Sequence, residues 1–368
     1  MKLDFDIIII TSDEPYSKMW HTQLIYTEFL AKTNKVLYIN PPKKWALKNI
    51  FGIGFKKNKV NENLTVIDYK NIFPASFKWF NKFNENSNER LISKYLKYYN
   101  STNILLWHFD SYRNAFSNHF FDQSLAIKRI YHVIDPFYKN PIDRWLCKTA
   151  NQIVITSPRN NCYYSDYSKK TINIPQCLDI ELQKQLLKGH AYIKQKFSKN
   201  YFVLLGTISD DIDFDWLLKL IDNNEFKLII IGKMINVTQT GKLNKVLEHS
   251  NVEYLGLLSP EEFYPVLKNA NAGLIIYNEE RRAKVCSPLK ALNYITANLP
   301  VITNIDCEIP ELNGNLIYGA DNITDYCNLI QLVLNKNLKI EESVIGNYLN
   351  KVSMSNAIET ITKNSLCN

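Results

Sequence analysis

The residues CSPLKALNYI, Cys286 to Ile295, place a serine, a proline and a lysine at the start of a segment with helical spacing. Serine is a preferred N-cap and proline suits the first helical position, so a helix is predicted to open at Ser287 and Pro288. Leu289, Leu292 and Ile295 give it an apolar stripe, and Asn298 with Pro300 ends it before a short buried strand, Val301–Thr303. An acid usually stands in the first turn, where it complements the free backbone N–H groups and the positive end of the helix dipole. Lys290 stands there instead. That placement costs about 0.3–1 kcal/mol unless an anion arrives from outside. A phosphate would serve, accepting from the N–H groups of Leu289 and Lys290, the Ser287 hydroxyl and the lysine ammonium. Taken alone, the segment reads equally well as an ordinary surface lysine at an ordinary helix start.

A second set of chemistry-bearing residues lies at the ends of apolar runs. His132 and Asp135 close IYHVI, where either side chain can accept a proton from a hydroxyl. His108 and Asp110, in LLWHFDSY, form a similar pair one run earlier; a strand-end histidine also commonly serves structure alone. Asp211, Asp213 and Asp215 contain Asp-x-Asp spacing, but they precede a helix start where acids are expected, so no metal site is read from them. The seven cysteines include no C-x-x-C pair and the six histidines show no ligand spacing, which argues for reduced thiols and against a disulfide framework or a zinc site.

These groups need a scaffold, and the apolar runs supply one. DIIII (6–10), VLYI (36–39), LTVI (64–67), ILLW (104–107), IYHVI (130–134) and IVIT (153–156) are spaced with room for a helix between most of them. A second series follows: FVLLG (202–206), KLIIIG (227–232), VEYL (252–255), GLIIY (273–277) and PVIT (300–303). Continuous apolar strands alternating with helices predict parallel sheets covered on both faces. The expected fold class is therefore α/β, with two doubly wound Rossmann-like domains facing a central cleft, ligands binding at the carboxyl ends of the strands. The boundaries are drawn at 1–178 for the first domain, 179–200 for a polar connector and 201–345 for the second domain. A helical segment, 346–368, completes the chain and is expected to cross back to the first domain.

The chain of 368 residues, 46% hydrophobic and 12% aromatic, has enough apolar material for two cores. No apolar run reaches membrane-span length and MKLDFDIIII carries acids before its short apolar stretch, so neither a span nor a signal peptide is expected. A cytoplasmic protein is expected. The net charge of +8 is uneven: residues 1–178 hold 25 Lys+Arg against 14 Asp+Glu, and residues 179–368 hold 19 against 22. The first half thus suits an anionic neighbour. Within it, PPKKWALKNIFGIGFKKNKV (Pro41 to Val60) interleaves lysines with aromatic and aliphatic residues and contains no acid. Such a stretch suits a surface loop or helix resting on anionic headgroups, through Lys43, Lys44, Lys48, Lys56 and Lys57, at the inner face of the plasma membrane. Core packing of the same apolar residues is the other reading. No zinc finger, RNP-type aromatic motif or basic heptad region is present, which argues against nucleic acid as the partner.

The stretch VEYLGLLSPEEFYPVLKNANAGLIIYNEERRAKVCSPLKALNYITANLPVITNID, Val252 to Asp306, resembles the donor-binding region of GT-B-type glycosyltransferases. The similarity is to the bacterial retaining, nucleotide-sugar-dependent branch with its polysaccharide-assembly members. The Ser-Pro-x-Lys block is its specific part. VLLGTISDDIDFDWLLKLI, QLIYTEFLAKTNKVLYINPP, RIYHVIDPF and TANQIVITSPRN resemble other parts of such enzymes more weakly. The resemblance implies a GT-B architecture and a hexosyl transfer without metal or other cofactor. A UDP- or GDP-linked sugar would pass to a hydroxyl of a lipid-linked or polysaccharide acceptor in cell-surface glycan assembly. It also implies that Ser287, Leu289 (through its N–H) and Lys290 hold the donor diphosphate, that Gly206 and Thr207 approach it, and that Arg282 and Lys284 neutralise leaving-group charge. The family's pair of glutamates falls on Val285 and Asn293. Asn293 can still hydrogen-bond a ribose, whereas Val285 cannot replace a carboxylate, and Glu279 or Glu280 would have to substitute. His132 and Asp135 fall on the acceptor side. A nucleotide-sugar epimerase of the same fold, or a non-catalytic binding protein, stays open as an alternative.

Overall fold

A computed structural model describes residues 1–42, 55–71, 73–74, 78–98, 101–111, 126–135, 141–188, 200–223, 226–282, 287–338 and 341–366. The chain divides into two compact units. The first comprises Met1–Ser17, His21–Pro175 and Ala357–Asn368, and the second comprises Lys18–Trp20 and Gln176–Asn356.

The first unit runs β1 (Ile7–Thr11), α1 (Thr22–Ala31), β2 (Val36–Ile39), β3 (Phe55–Lys59), β4 (Leu64–Tyr69), α2 (Lys78–Tyr98) and β5 (Asn103–His108). It continues through β6 (Ala126–Val133), α3 (Pro141–Thr149), β7 (Gln152–Ile155) and β8 (Thr171–Asn173). The strands make one sheet in the order β3-β4-β2-β1-β5-β6-β7-β8. Strands β1, β2 and β7 are buried along their whole length, as expected for apolar runs covered on both faces. On one face Ile7, Ile9, Leu37, Ile39, Ile104 and Leu106 pack with Ile92, Tyr95 and Leu96 of α2. On the other, Tyr26 of α1 meets Trp107 with ring centroids 5.3 Å apart.

One element of this unit corrects the sequence reading. Residues 55–59 of the basic stretch form neither a loop nor a helix but the antiparallel edge strand β3, with Lys57 opposite Ile67 of β4. Alternating lysines suit an edge, because charge discourages pairing with another chain. Lys57 also places its ammonium 3.8 Å from the ring centroid of Tyr95. Lys43, Lys44 and Lys48 lie outside the described residues.

The second unit starts with α4 (Ile180–Lys188), inside the stretch read as a connector. It continues through β9 (Tyr201–Leu205), α5 (Phe214–Asp222), β10 (Lys227–Ile231), α6 (Thr240–Glu248), β11 (Val252–Tyr254), α7 (Pro260–Leu267) and β12 (Ala272–Ile275). Then come α8 (Glu279–Arg282), α9 (Leu289–Thr296), β13 (Val301–Thr303), β14 (Ile317–Gly319), α10 (Ile323–Leu334) and α11 (Glu342–Lys351). The last helix, α12 (Met354–Leu366), starts in the second unit and ends among residues that group with the first. The sheet is parallel throughout, in the order β11-β10-β9-β12-β13-β14. Its order reverses between β9 and β12, and such a reversal opens a crevice at the carboxyl ends of the two strands. No described helix is long and apolar enough to cross a membrane.

Candidate anion-binding site

The crevice between β9 and β12 is organised by one buried tyrosine. Tyr294 of α9 lies over Gly273 of β12, where an added Cβ would stand 2.3 Å from the ring. Its hydroxyl accepts from the backbone N–H of Leu205 at 2.7 Å and lies 3.1 and 3.2 Å from the carbonyls of Val203 and Leu274. The hydroxyl therefore completes the hydrogen bonding where β9 and β12 part, and it fixes α9 against both strand ends.

That anchoring sets the first turn of α9 beside the turn after β9. Lys290 runs across Gly206, whose φ is +118°, and a Cβ at residue 206 would stand 3.0 Å from the lysine Cε and 3.2 Å from its Nζ. Glycine is required here twice over, by the backbone angle and by the lysine. The Lys290 ammonium sits 4.7 Å from the ring centroid of Tyr277, just beyond β12. Among the described residues no carboxylate lies within ion-pair distance of it.

The helix start differs from the sequence reading by one position. Helix α9 begins at Leu289, Pro288 is the N-cap residue, and no side chain caps it. Ser287 does not cap the helix; it is buried and held at φ 46°, in the left-handed region that a residue with a Cβ rarely adopts. A non-glycine residue held there costs about 1–3 kcal/mol and is found preferentially at ligand sites. The N–H groups of Leu289 and Lys290 stand at the first two helical positions, where no intrahelical acceptor exists.

Two further side chains pin the crevice and were not singled out from the sequence. Asn304, after β13, accepts from the N–H of Tyr277 at 3.0 Å and donates to its carbonyl at 2.8 Å. Asn278 donates through Nδ2 to the carbonyl of Asp210 at 2.5 Å and through its backbone N–H to that of Asp211 at 2.8 Å. Asp213 caps α5 by accepting from Trp216 N–H at 3.0 Å, and Asp215 pairs with Lys242 at 2.6 Å.

Among the other expected donor contacts, Thr207 follows Gly206 directly and is half-buried. Asn293 is buried and its Oδ1 accepts from the Tyr264 hydroxyl at 2.8 Å. Arg282 ends α8, with its side chain outside the described residues; Lys284 and Val285 lie outside them altogether.

In the first unit the structure places His132, one of the expected site residues, in the interior of the sheet layer. Its ring is buried, stacked on Phe109 at 4.7 Å and set edge-on to Tyr26 at 5.0 Å. Trp107 Nε1 donates to its Nδ1 at 3.4 Å, and burial holds its pKa at about 3. Strand alternation turns the side chain into the layer under α1, where its Nε2 is buried with no hydrogen-bond partner among the described residues. His108 is also buried, with Nδ1 3.2 Å from Thr11 Oγ1 and Nε2 3.2 Å from Arg129 Nη1. Arginine only donates, so Nε2 accepts and Nδ1 carries the proton; burial and then Arg129 push this histidine well below its usual range. Asp135, two residues past β6, is exposed at the carboxyl end of the sheet.

No protein-family model and no curated protein matches the sequence. Solved structures match it over nearly its whole length. An α,α-trehalose-phosphate synthase (UDP-forming) from Burkholderia xenovorans, in complex with glucose-6-phosphate, is similar at 10% identity and TM-score 0.72, covering 98% of this chain and 100% of that one. A trehalose-6-phosphate protein from E. coli, bound with UDP-2-fluoro glucose, is similar at 11% identity and TM-score 0.62, covering 97% and 96%. The lipopolysaccharide outer core galactosyltransferase WaaB is similar at 10% identity and TM-score 0.60, covering 98% and 99%. At such identities the likeness is one of fold, and the chain has the GT-B fold.

Proposed function

We propose that the protein is a glycosyltransferase that moves a sugar from a UDP- or GDP-linked donor to an acceptor hydroxyl. One observation carries this reading: Lys290, without a carboxylate partner among the described residues, lies at a helix N-terminus and across a glycine, at the reversal point of the second sheet. Holding a half-buried cation beside free N–H groups is unfavourable until an anion joins them. A diphosphate supplies that anion. As the bond between the anomeric carbon and the phosphate oxygen breaks, its electron pair leaves with the diphosphate, and Lys290 with the N–H groups of Leu289 and Lys290 stabilises the growing charge. The structure of the same fold bound with UDP-2-fluoro glucose supports a nucleotide-sugar donor. On the acceptor side Asp135, an exposed acid just past β6, is the group we assign to bond a sugar hydroxyl.

The acceptor we propose is a lipid-linked or polysaccharide glycan, reached by a protein docked on an anionic membrane. Support comes from the outer face of α2, where Trp79 is 75% and Phe83 46% exposed and Lys82 and Arg90 are exposed beside them, while Glu89 is buried. Exposed Lys56 and Lys57 of β3 belong to the same unit. Aromatic and basic residues on one helix face suit a headgroup layer, with Glu85 half-buried between Lys82 and Arg90 and Glu62 exposed at the β3–β4 turn.

The test is a panel of nucleotide sugars read first by thermal shift and then by turnover with glycan acceptors. A ligand that binds only the folded state raises the melting temperature. Stabilisation by a UDP or GDP sugar, followed by release of the nucleotide on adding an acceptor, is expected. A panel that neither stabilises the protein nor is turned over would overturn the reading.

A further inference from the structure

The turn that leaves β9 starts with Gly206, across which Lys290 lies, and runs on to the start of α5. It is tied down on both sides. Gly206 N–H donates to the carbonyl of Ile231 and Ile208 N–H to that of Lys233, each at 2.9 Å, and Ile235 N–H returns a bond to the carbonyl of Ile208 at 2.9 Å. The turn therefore follows β10 beyond the end of the strand. On the other side Asn278, past β12, holds the carbonyls of Asp210 and Asp211.

The Asp210 side chain adds a further tie, to the loop between β10 and α6. Its Oδ1 accepts from the N–H groups of Thr238 and Gln239, both at 3.1 Å, and its Oδ2 accepts from the Thr238 N–H at 2.9 Å and the Thr238 hydroxyl at 2.5 Å. An amide could accept through one oxygen only. These residues lead into α6, whose N-cap Gln239 makes no side-chain bond and whose first turn contains no acid. Asp210 supplies that negative charge from the neighbouring loop. The Thr238 hydroxyl, and after it the N–H groups of Thr238 and Gln239, hold the carboxyl below its usual range, so it is ionised at neutral pH. An acid four residues from the glycine beneath Lys290 opposes a diphosphate by charge alone. What it holds in place explains its presence.

We propose that Asp210 is a positioning residue for the donor: through Thr238 and Gln239 it keeps the turn from Gly206 to Asp213 in its binding shape before the diphosphate arrives, and with it the seat of Lys290. This rests on the glycosyltransferase reading. A turn ordered in advance loses no conformational freedom on binding, which raises affinity without a new contact to the ligand.

Titration calorimetry of the full-length protein with UDP and with GDP tests the role. In Asp210→Ala the Kd should rise about tenfold, because the ligand must now order the turn. Thr238→Val removes the hydroxyl and leaves the charge, and should raise the Kd about threefold; Thr238→Ser should bind as the wild type does. Hydrogen exchange of residues 206–213 should be faster in ligand-free Asp210→Ala than in the wild type and should return to the wild-type rate at saturating UDP or GDP. A tie remote from binding would show no such recovery. An unchanged Kd in Asp210→Ala overturns the positioning role. So does tighter binding by that variant with Thr238→Val unaffected, which would make the carboxylate a source of repulsion only. Either result leaves the transferase reading intact, whereas a wild type that binds neither UDP nor GDP overturns the role and the reading together.

Discussion

Lys290 lies across Gly206, its Cε and Nζ 3.0 and 3.2 Å from where a Cβ of residue 206 would stand. The lysine is thus held at the carboxyl end of β9 by contact and by the Tyr277 ring. Charge-assisted hydrogen bonds contribute about 1.5–3 kcal/mol each, so Lys290→Ala should weaken UDP or GDP binding by about ten- to a hundredfold. Titration calorimetry measures this directly. The melting temperature without ligand should hardly change, because the removed ammonium has no carboxylate partner among the described residues.

Tyr294 carries the anchoring of α9, and its removal should therefore show in stability first. In Tyr294→Phe the N–H of Leu205 loses its acceptor in a buried place, which costs about 1–3 kcal/mol. Urea unfolding of the variant should show that loss. Gly273→Ala should be worse, since its Cβ would stand 2.3 Å from the ring in a place where neither backbone nor ring can yield. A Gly273→Ala protein as stable as the wild type would mean that α9 does not pack against β12 in this way.

The exposed face of α2 gives a separate expectation. Phe73, Phe80 and Trp79 are packed ring to ring, at 4.9 and 5.0 Å, on the surface and not in the core. Sedimentation with phosphatidylglycerol vesicles should carry the protein down, and phosphatidylcholine vesicles should carry down less. Trp79→Ala combined with Phe83→Ala should reduce the bound fraction at unchanged melting temperature. Equal binding by the double variant would remove this face from the membrane proposal.

The strands that could be read from the sequence were those buried on both faces. β2 and β10 were placed to within a residue because VLYI and the LIII that follows Lys227 are unbroken apolar runs. β3, β8 and β14 were not anticipated: FKKNK, TIN and IYG are short or charged, and edge position defines them, not apolar character. Within the site, Lys290 was legible because a cation in a first helical turn is locally unfavourable and so demands a reason. Asn304 and Asn278 were not, because their partners stand 27 and 68 residues away and nothing local marks the pairing. Ser287 failed as a cap because proline at the following position took the N-cap place itself.

His132 shows the remaining difficulty, since a strand end gives proximity to an edge without saying which face a side chain takes. Its buried, neutral ring makes a prediction about pH. The pKa is about 3 in the folded chain against about 6.5 in an unfolded one. Between those values the unfolded state binds the extra proton, so stability rises with pH through the window and falls as pH drops below about 6.5. The slope from one such group approaches about 1.4 kcal/mol per pH unit. His108, depressed by burial and by Arg129, adds in the same direction. His132→Phe keeps an aromatic ring against Phe109 and Tyr26 and removes the titrating group. Its urea stability should therefore be flatter than that of the wild type between pH 6.5 and pH 4, with the two proteins differing most at the acid end. Parallel curves for the two proteins would mean that His132 titrates normally and reaches water, and would return it to the acceptor side as a candidate base.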